Sequence, residues 1–142
     1  MKHLNLTEAR GCSLPQLRIL VVEDEALVAL ETSQMLTEAG FDILGPAKSV
    51  AKSLALLKRS NCDAAVLDFN LGGETSEPVA RELLQAGIPF VMLSGYSRRE
   101  LPPLLQGAPF VAKPLRPQTL LSELWLCLGA KECAQLLHQM PA

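Results

Sequence analysis

Short apolar runs alternate along this chain with stretches in which apolar residues return every three or four positions. Leu17-Arg18-Ile19-Leu20-Val21-Val22 predicts a first strand that stops abruptly at Glu23-Asp24-Glu25. From Ala26 the period becomes helical: Leu27, Leu30, Met35, Leu36 and Ala39 fall near one face, and Gly40 ends the helix. Residues 41–46 predict a second strand closed by Gly45-Pro46, and Ser49 is a cap for a helix through Val50, Leu54 and Leu57. Ala64-Ala65-Val66-Leu67 predicts a buried strand that delivers Asp68 into a loop containing Gly72 and Gly73. A helix from Glu77 to Ala86 follows, with Pro78 in its first turn and Gly87 at its end. Residues 88–93 predict a fourth strand leading to Ser94-Gly95-Tyr96. Pro102-Pro103 then interrupts the place where a fourth helix is due. A short fifth strand over 108–112 leads to Lys113-Pro114. The last helix runs from Pro117 to Leu128 with Leu120, Leu121, Leu124 and Leu128 inward; Gly129 ends it, and Lys131 to His138 adds another turn or two.

Strands alternating with helices at this spacing predict an α/β fold, a parallel sheet covered on both faces. The expected division is a leader over 1–16, one domain over 17–128 and an extension over 129–142. At 142 residues, with 49% hydrophobic and 20% charged residues, the chain has the length and composition of one globular domain. A net charge of −2 carries no footprint of nucleic-acid binding and no polybasic membrane patch. No apolar run approaches the roughly 20 residues of a membrane span. No secretion signal is read in the first residues, and Cys12, Cys62, Cys127 and Cys133 are scattered without a CxxC pair. Reduced cysteines in a cytoplasmic protein are the expectation.

The chemistry gathers at strand ends. Strand one supplies Glu23 and Asp24, strand three Asp68, strand four Ser94 and strand five Lys113. Right-handed crossovers set these strands side by side, so the five side chains converge at the carboxyl edge, where open α/β sheets bind ligands. Two carboxylates about 4 Å apart repel by roughly 4 kcal/mol at an effective dielectric near 20. A divalent cation relieves that repulsion, and an oxygen-only site favours Mg2+ or Mn2+. Asp68 is then a competent nucleophile toward phosphorus, with Lys113 neutralising charge on the transferring oxygens and Ser94 donating to one of them. Taken singly, each residue also has a plainer role: Glu23 and Asp24 at a helix start, Ser94 in a turn, Lys113 on the surface.

The ordered set Leu20-Val21-Val22-Glu23-Asp24-Glu25, Leu67-Asp68, Ser94-Gly95 and Lys113-Pro114 resembles the receiver domain of two-component response regulators, over about residues 17–128. The resemblance implies a flavodoxin-like, doubly wound five-stranded parallel sheet of order 2-1-3-4-5, here with a short or degenerate fourth helix. It implies that Asp68 accepts phosphate from a sensor histidine kinase or a phosphotransfer protein. It further implies that Asp24, Asp68 and the backbone carbonyl of Asn70 hold Mg2+, with Glu23 assisting through water. Ser94 matches the hydroxyl that moves toward the phosphate, Phe110 the rotating aromatic, and Tyr96 belongs to the same switch. A cis peptide at Lys113-Pro114 is implied as well. Residues 89–96, Pro-Phe-Val-Met-Leu-Ser-Gly-Tyr, together with Leu71-Gly72-Gly73-Glu74, are similar to the FATGUY-type receivers, although Met92-Leu93-Ser94 departs from that motif's Phe-Ala-Thr. Kinases of the HWE type are therefore the favoured partner class.

The expectation is a single-domain regulator, not an enzyme beyond its own phosphorylation and dephosphorylation, whose output comes through a protein partner the sequence does not name. Two alternatives stand beside it. An aspartyl-nucleophile phosphatase of the haloacid-dehalogenase kind wants a second acid two residues after the nucleophile, and that position is Asn70. An unphosphorylated receiver-like interaction module usually lacks one of the acidic, hydroxyl or lysine positions, and all are present.

Overall fold

The computed structural model describes residues 16–95 and 97–139, the stretch 130–139 by its backbone. Five strands form one parallel sheet: β1 (Arg18–Val22), β2 (Asp42–Ala47), β3 (Ala64–Asp68), β4 (Phe90–Ser94) and β5 (Phe110–Ala112), in the order β2-β1-β3-β4-β5. Four helices cover it: α1 (Ala26–Glu38), α2 (Val50–Arg59), α3 (Glu77–Ala86) and α4 (Pro117–Gln139). This is the expected flavodoxin-like arrangement.

The three central strands, β1, β3 and β4, are buried on both faces because their residues alternate between two cores. Leu20, Val22, Ala65, Leu67, Phe90 and Met92 pack with Val79, Ala80 and Leu83 of α3. Ile19, Val21, Ala64, Val66, Val91, Leu93 and Val111 pack with Leu36 of α1 and with Leu120, Leu124 and Leu128 of α4. Each of those three leucines is buried to 1% exposure or less, worth about 1.5–3 kcal/mol apiece. Their i, i+4, i+8 spacing is the inner stripe predicted for the last helix.

Register decides what happens at the carboxyl edge. Val22 pairs with Leu67, so the next residues, Glu23 and Asp68, leave β1 and β3 side by side. Asp68 pairs with Leu93 and Ser94 with Ala112, which places Ser94 and Lys113 one step further along. The caps fit the sequence: the Ser49 side chain accepts a hydrogen bond from the Lys52 backbone N–H at 3.1 Å, and Gly87 closes α3 at φ 71°.

Four expectations need correction. Leu27 and Leu30 lie 67% and 54% exposed, while α1 buries Ala29, Thr32 and Leu36. With apolar residues at five consecutive positions from Ala26, two stripes fit a helical period, and only the packing partner selects one. Gly45-Pro46 does not close β2, which runs on to Ala47; β2 is an edge strand, where a proline removes no ladder hydrogen bond that the sheet needs. Gly129 does not end α4, which continues unbroken to Gln139; an isolated glycine weakens a helix without stopping it. The fourth and fifth strands begin two residues later than expected. Where a short or degenerate fourth helix is expected, the chain makes two single 3-10 turns, Arg98–Glu100 and Pro103–Leu105, split by Leu101-Pro102.

Candidate functional site

The carboxyl edge opens into a cavity of about 370 Å³ lined by Asp24, Glu25, Asp68, Asn70, Gly72, Ser94, Gly95 and Lys113. Asp68, at the end of the central strand, is 3% exposed, and its Oδ2 lies 3.0 Å from Lys113 Nζ. Lys113 reaches in from the β5–α4 connection; its backbone N–H donates to Ser94 O at 2.9 Å, and its bond to Pro114 is cis. Ser94 is buried beside it.

Glu23 sits behind the cavity wall, 3% exposed, with Oε2 3.7 Å from the same ammonium. Its Oε1 accepts the Glu25 backbone N–H at 3.2 Å, whereas Oε2 has no hydrogen-bond donor among the described residues. Burial first, and then the charge of Asp68, push the Glu23 carboxyl up from an ordinary 4.5 to about 7. Burial works to lower the pKa of Lys113, but the hydrogen bond and charge of Asp68, with help from Glu23 and Glu25, outweigh it and leave the ammonium held above its ordinary value. One cation thus serves a cluster of acids.

Glu23, Asp24 and Asp68 each offer an oxygen within 4.8 Å of the other two. A small hard cation fits this donor set on three counts: the oxygens are all carboxylate, Glu23 keeps one buried oxygen without a donor among the described residues, and the opposite wall is cut back. That wall is Gly72, at φ 65°, where a Cβ would stand 3.0 Å from Asp24 Oδ2. The loop is held in place by Leu71 N–H donating to Glu74 O and by Ser76 N–H donating to Phe69 O; an antiparallel bridge joins Asn70 to Thr75 between them. Glu74 then accepts the Val50 backbone N–H at 3.1 Å, tying the loop to the start of α2.

Glu23, Asp24, Asp68, Ser94 and Lys113 therefore come together as the strand pattern predicts, and Asn70, expected there from the resemblance, lines the same cavity. Phe110 does not line the cavity; it begins β5, half-buried, beneath the Arg98 guanidinium. Tyr96 lies outside the described residues. Three lining residues, Glu25, Gly72 and Gly95, went unassigned by sequence reasoning. Glu25 is the third acid of Glu23-Asp24-Glu25, a run that reads as a helix start, and Gly72 carries no side chain whose absence a sequence can flag.

The family model described as the response regulator receiver domain matches residues 19–124. The chain is similar to the transcriptional regulatory protein PdtaR of Mycobacterium tuberculosis, 29% identical over 101 residues, 70% of this chain and 49% of that protein. It thus spans about half the length of that curated relative. Among solved structures, it resembles SdrG of Sphingomonas melonis Fr1, 35% identical at a TM-score of 0.70, over 80% of this chain and 97% of that one. It also resembles the response regulator TrrA of Thermotoga maritima, solved in complex with Mg2+ and BeF, at 25% identity and a TM-score of 0.71, over 80% of this chain and 100% of that one.

Proposed function

The chain belongs to the response regulator receiver domain family, a module of two-component signalling, and from that premise we propose that Asp68 accepts a phosphoryl group in a Mg2+-dependent reaction. The donor is a histidine kinase, of the HWE type by resemblance, or a phosphotransfer protein, and the product switches contacts with a protein partner. Residues 17–128 are the working unit, and the cytoplasm is its place. The observation that carries the reading is the 3.0 Å contact of Lys113 Nζ with Asp68 Oδ2, on a carboxyl group that offers an oxygen within 4.8 Å of oxygens from Glu23 and Asp24.

Receiver domains bind Mg2+ at an acidic pocket, and here Asp24, Asp68 and the Asn70 carbonyl would hold it with Glu23 behind them. When bound, the cation offsets negative charge on the carboxylates and on the incoming phosphoryl oxygens. An Asp68 carboxylate oxygen attacks phosphorus; the new O–P bond forms as the P–N bond to the donor imidazole breaks, and that nitrogen keeps the electron pair. Lys113 carries positive charge to the phosphoryl oxygens, and the Ser94 hydroxyl donates to one of them. A signalling role in place of turnover is supported by Asn70, which stands where an aspartyl phosphatase needs a second acid. Incubation with Mg2+ and acetyl phosphate should label the wild type with a base-labile acyl phosphate and leave Asp68→Asn unlabelled. Equal labelling of Asp68→Asn, in a variant that still unfolds in one cooperative transition, overturns the assignment.

A further inference from the structure

Pro102 and Pro103 remove two backbone donors from the β4–β5 connection, yet the segment is tightly bonded. Arg98, in the first 3-10 turn, donates through Nη1 to Gln106 O at 2.8 Å and to Ala108 O at 2.6 Å, both beyond the second turn. Gln106 answers in the other direction: its Nε2 donates to Arg98 O at 2.9 Å and to Leu101 O. These four bonds cross the proline pair, and Leu101 and Leu105 anchor the segment in the core beneath. The same guanidinium lies over the Phe110 ring, its central carbon 5.3 Å from the ring centroid. One side chain therefore holds both the segment and the first residue of β5, the strand that ends one step before Lys113.

We infer that Arg98 is the latch of this module: it holds Phe110 and residues 97–108 in the resting arrangement, and a phosphoryl group that repositions Phe110 must first break it. The inference rests on the phosphoacceptor reading for its trigger, while the latch itself rests on the contacts alone. Arginine suits the position because its Nη1 can donate to two carbonyls while the rest of the delocalised guanidinium lies over an aromatic face, whereas a lysine ammonium is a compact, strongly hydrated point charge. Charge-assisted bonds of this kind are among the stronger ones a surface segment can make. Because a ligand binds more weakly when its competent state is rarely populated, a tighter latch lowers the apparent affinity for the phosphoryl group. Arg98 would thus set how readily the module responds.

The test uses the whole chain with Arg98→Ala, Arg98→Lys and Gln106→Ala, the last leaving the arginine in place. Amide exchange of residues 99–108 without ligand should be on the order of ten-fold faster in Arg98→Ala and intermediate in the other two. The beryllofluoride concentration for half-saturation, at fixed excess Mg2+, should fall several-fold in the same order. Exchange unchanged by Arg98→Ala overturns the latch. Faster exchange with an unmoved beryllofluoride midpoint overturns its coupling to the switch. A wild type that exchanges as expected but never binds beryllofluoride overturns the phosphoacceptor reading, and the switching role with it, while leaving the latch contacts standing.

Discussion

At the scale of single residues, Glu23 carries the most information, because it is an acid kept where acids are poorly solvated. Its carboxyl, raised from 4.5 to about 7 by burial and by Asp68, gives a signed pH dependence. Below pH 4.5 the group is protonated in folded and unfolded chains alike. Between 4.5 and 7 the folded chain keeps a proton that the unfolded chain has released, so this group's contribution to stability falls as pH rises, and it levels off above about 7. Melting temperature measured in chelator should decline across that window in the wild type and decline less in Glu23→Gln. Saturating Mg2+ favours the carboxylate and should remove the decline. An identical pH profile for the two proteins in chelator would show that Glu23 is not the group responsible. The acid itself was legible in the sequence as one of a run of three, but its burial behind the cavity wall was not, since that depends on the level pairing of β1 with β3.

At the scale of elements, the prolines decide the outcome of the β4–β5 connection, and the core decides its position. A helix could not pass Pro102-Pro103, and what the sequence could say ended there. The two 3-10 turns, the four crossing hydrogen bonds and the burial of Leu101 and Leu105 are tertiary facts. Leu105 is fully buried against the α3 side of the sheet, so Leu105→Ala should lower unfolding stability by about 2–5 kcal/mol in denaturant titration. A loss below about 0.5 kcal/mol would mean the segment is not anchored through it. The contrast with α1 is instructive. There a dense run of apolar residues is ambiguous: Leu27 and Leu30 were grouped with Leu36 because size favours leucines, and only Leu36 of the three is buried. Ala29 and Thr32 join Leu36 on the buried side instead. Where the inner stripe was unambiguous, as in the leucines of α4, the period sufficed.

At the scale of the whole molecule, the order of strands is what converts five unremarkable polar residues into one site. The alternation of strands and helices, with right-handed crossovers, brought the strand ends to one edge, and the order 2-1-3-4-5 implied by the resemblance made β1, β3, β4 and β5 neighbours, so that Glu23, Asp24, Asp68, Ser94 and Lys113 converge. The cavity's far wall, Gly72 and the loop bonded to α2, was not legible, because it depends on backbone geometry that no side chain announces. That crowding makes cation binding a property of global stability. In the apo protein the three acids repel, and Lys113 offsets them only in part. Removing one of them, as in Asp24→Asn, should raise the melting temperature measured in chelator. A ligand that binds only the folded chain stabilises it by about 2.7 kcal/mol at a hundred times its dissociation constant, roughly 10 °C for a domain of this size. Mg2+ should produce a rise of that order in the wild type and little or none in Asp24→Asn, so the two melting curves should approach or cross as Mg2+ is added. A full Mg2+-dependent rise in Asp24→Asn would remove Asp24 from the metal site, and no rise in the wild type would remove the cation from the proposed reaction.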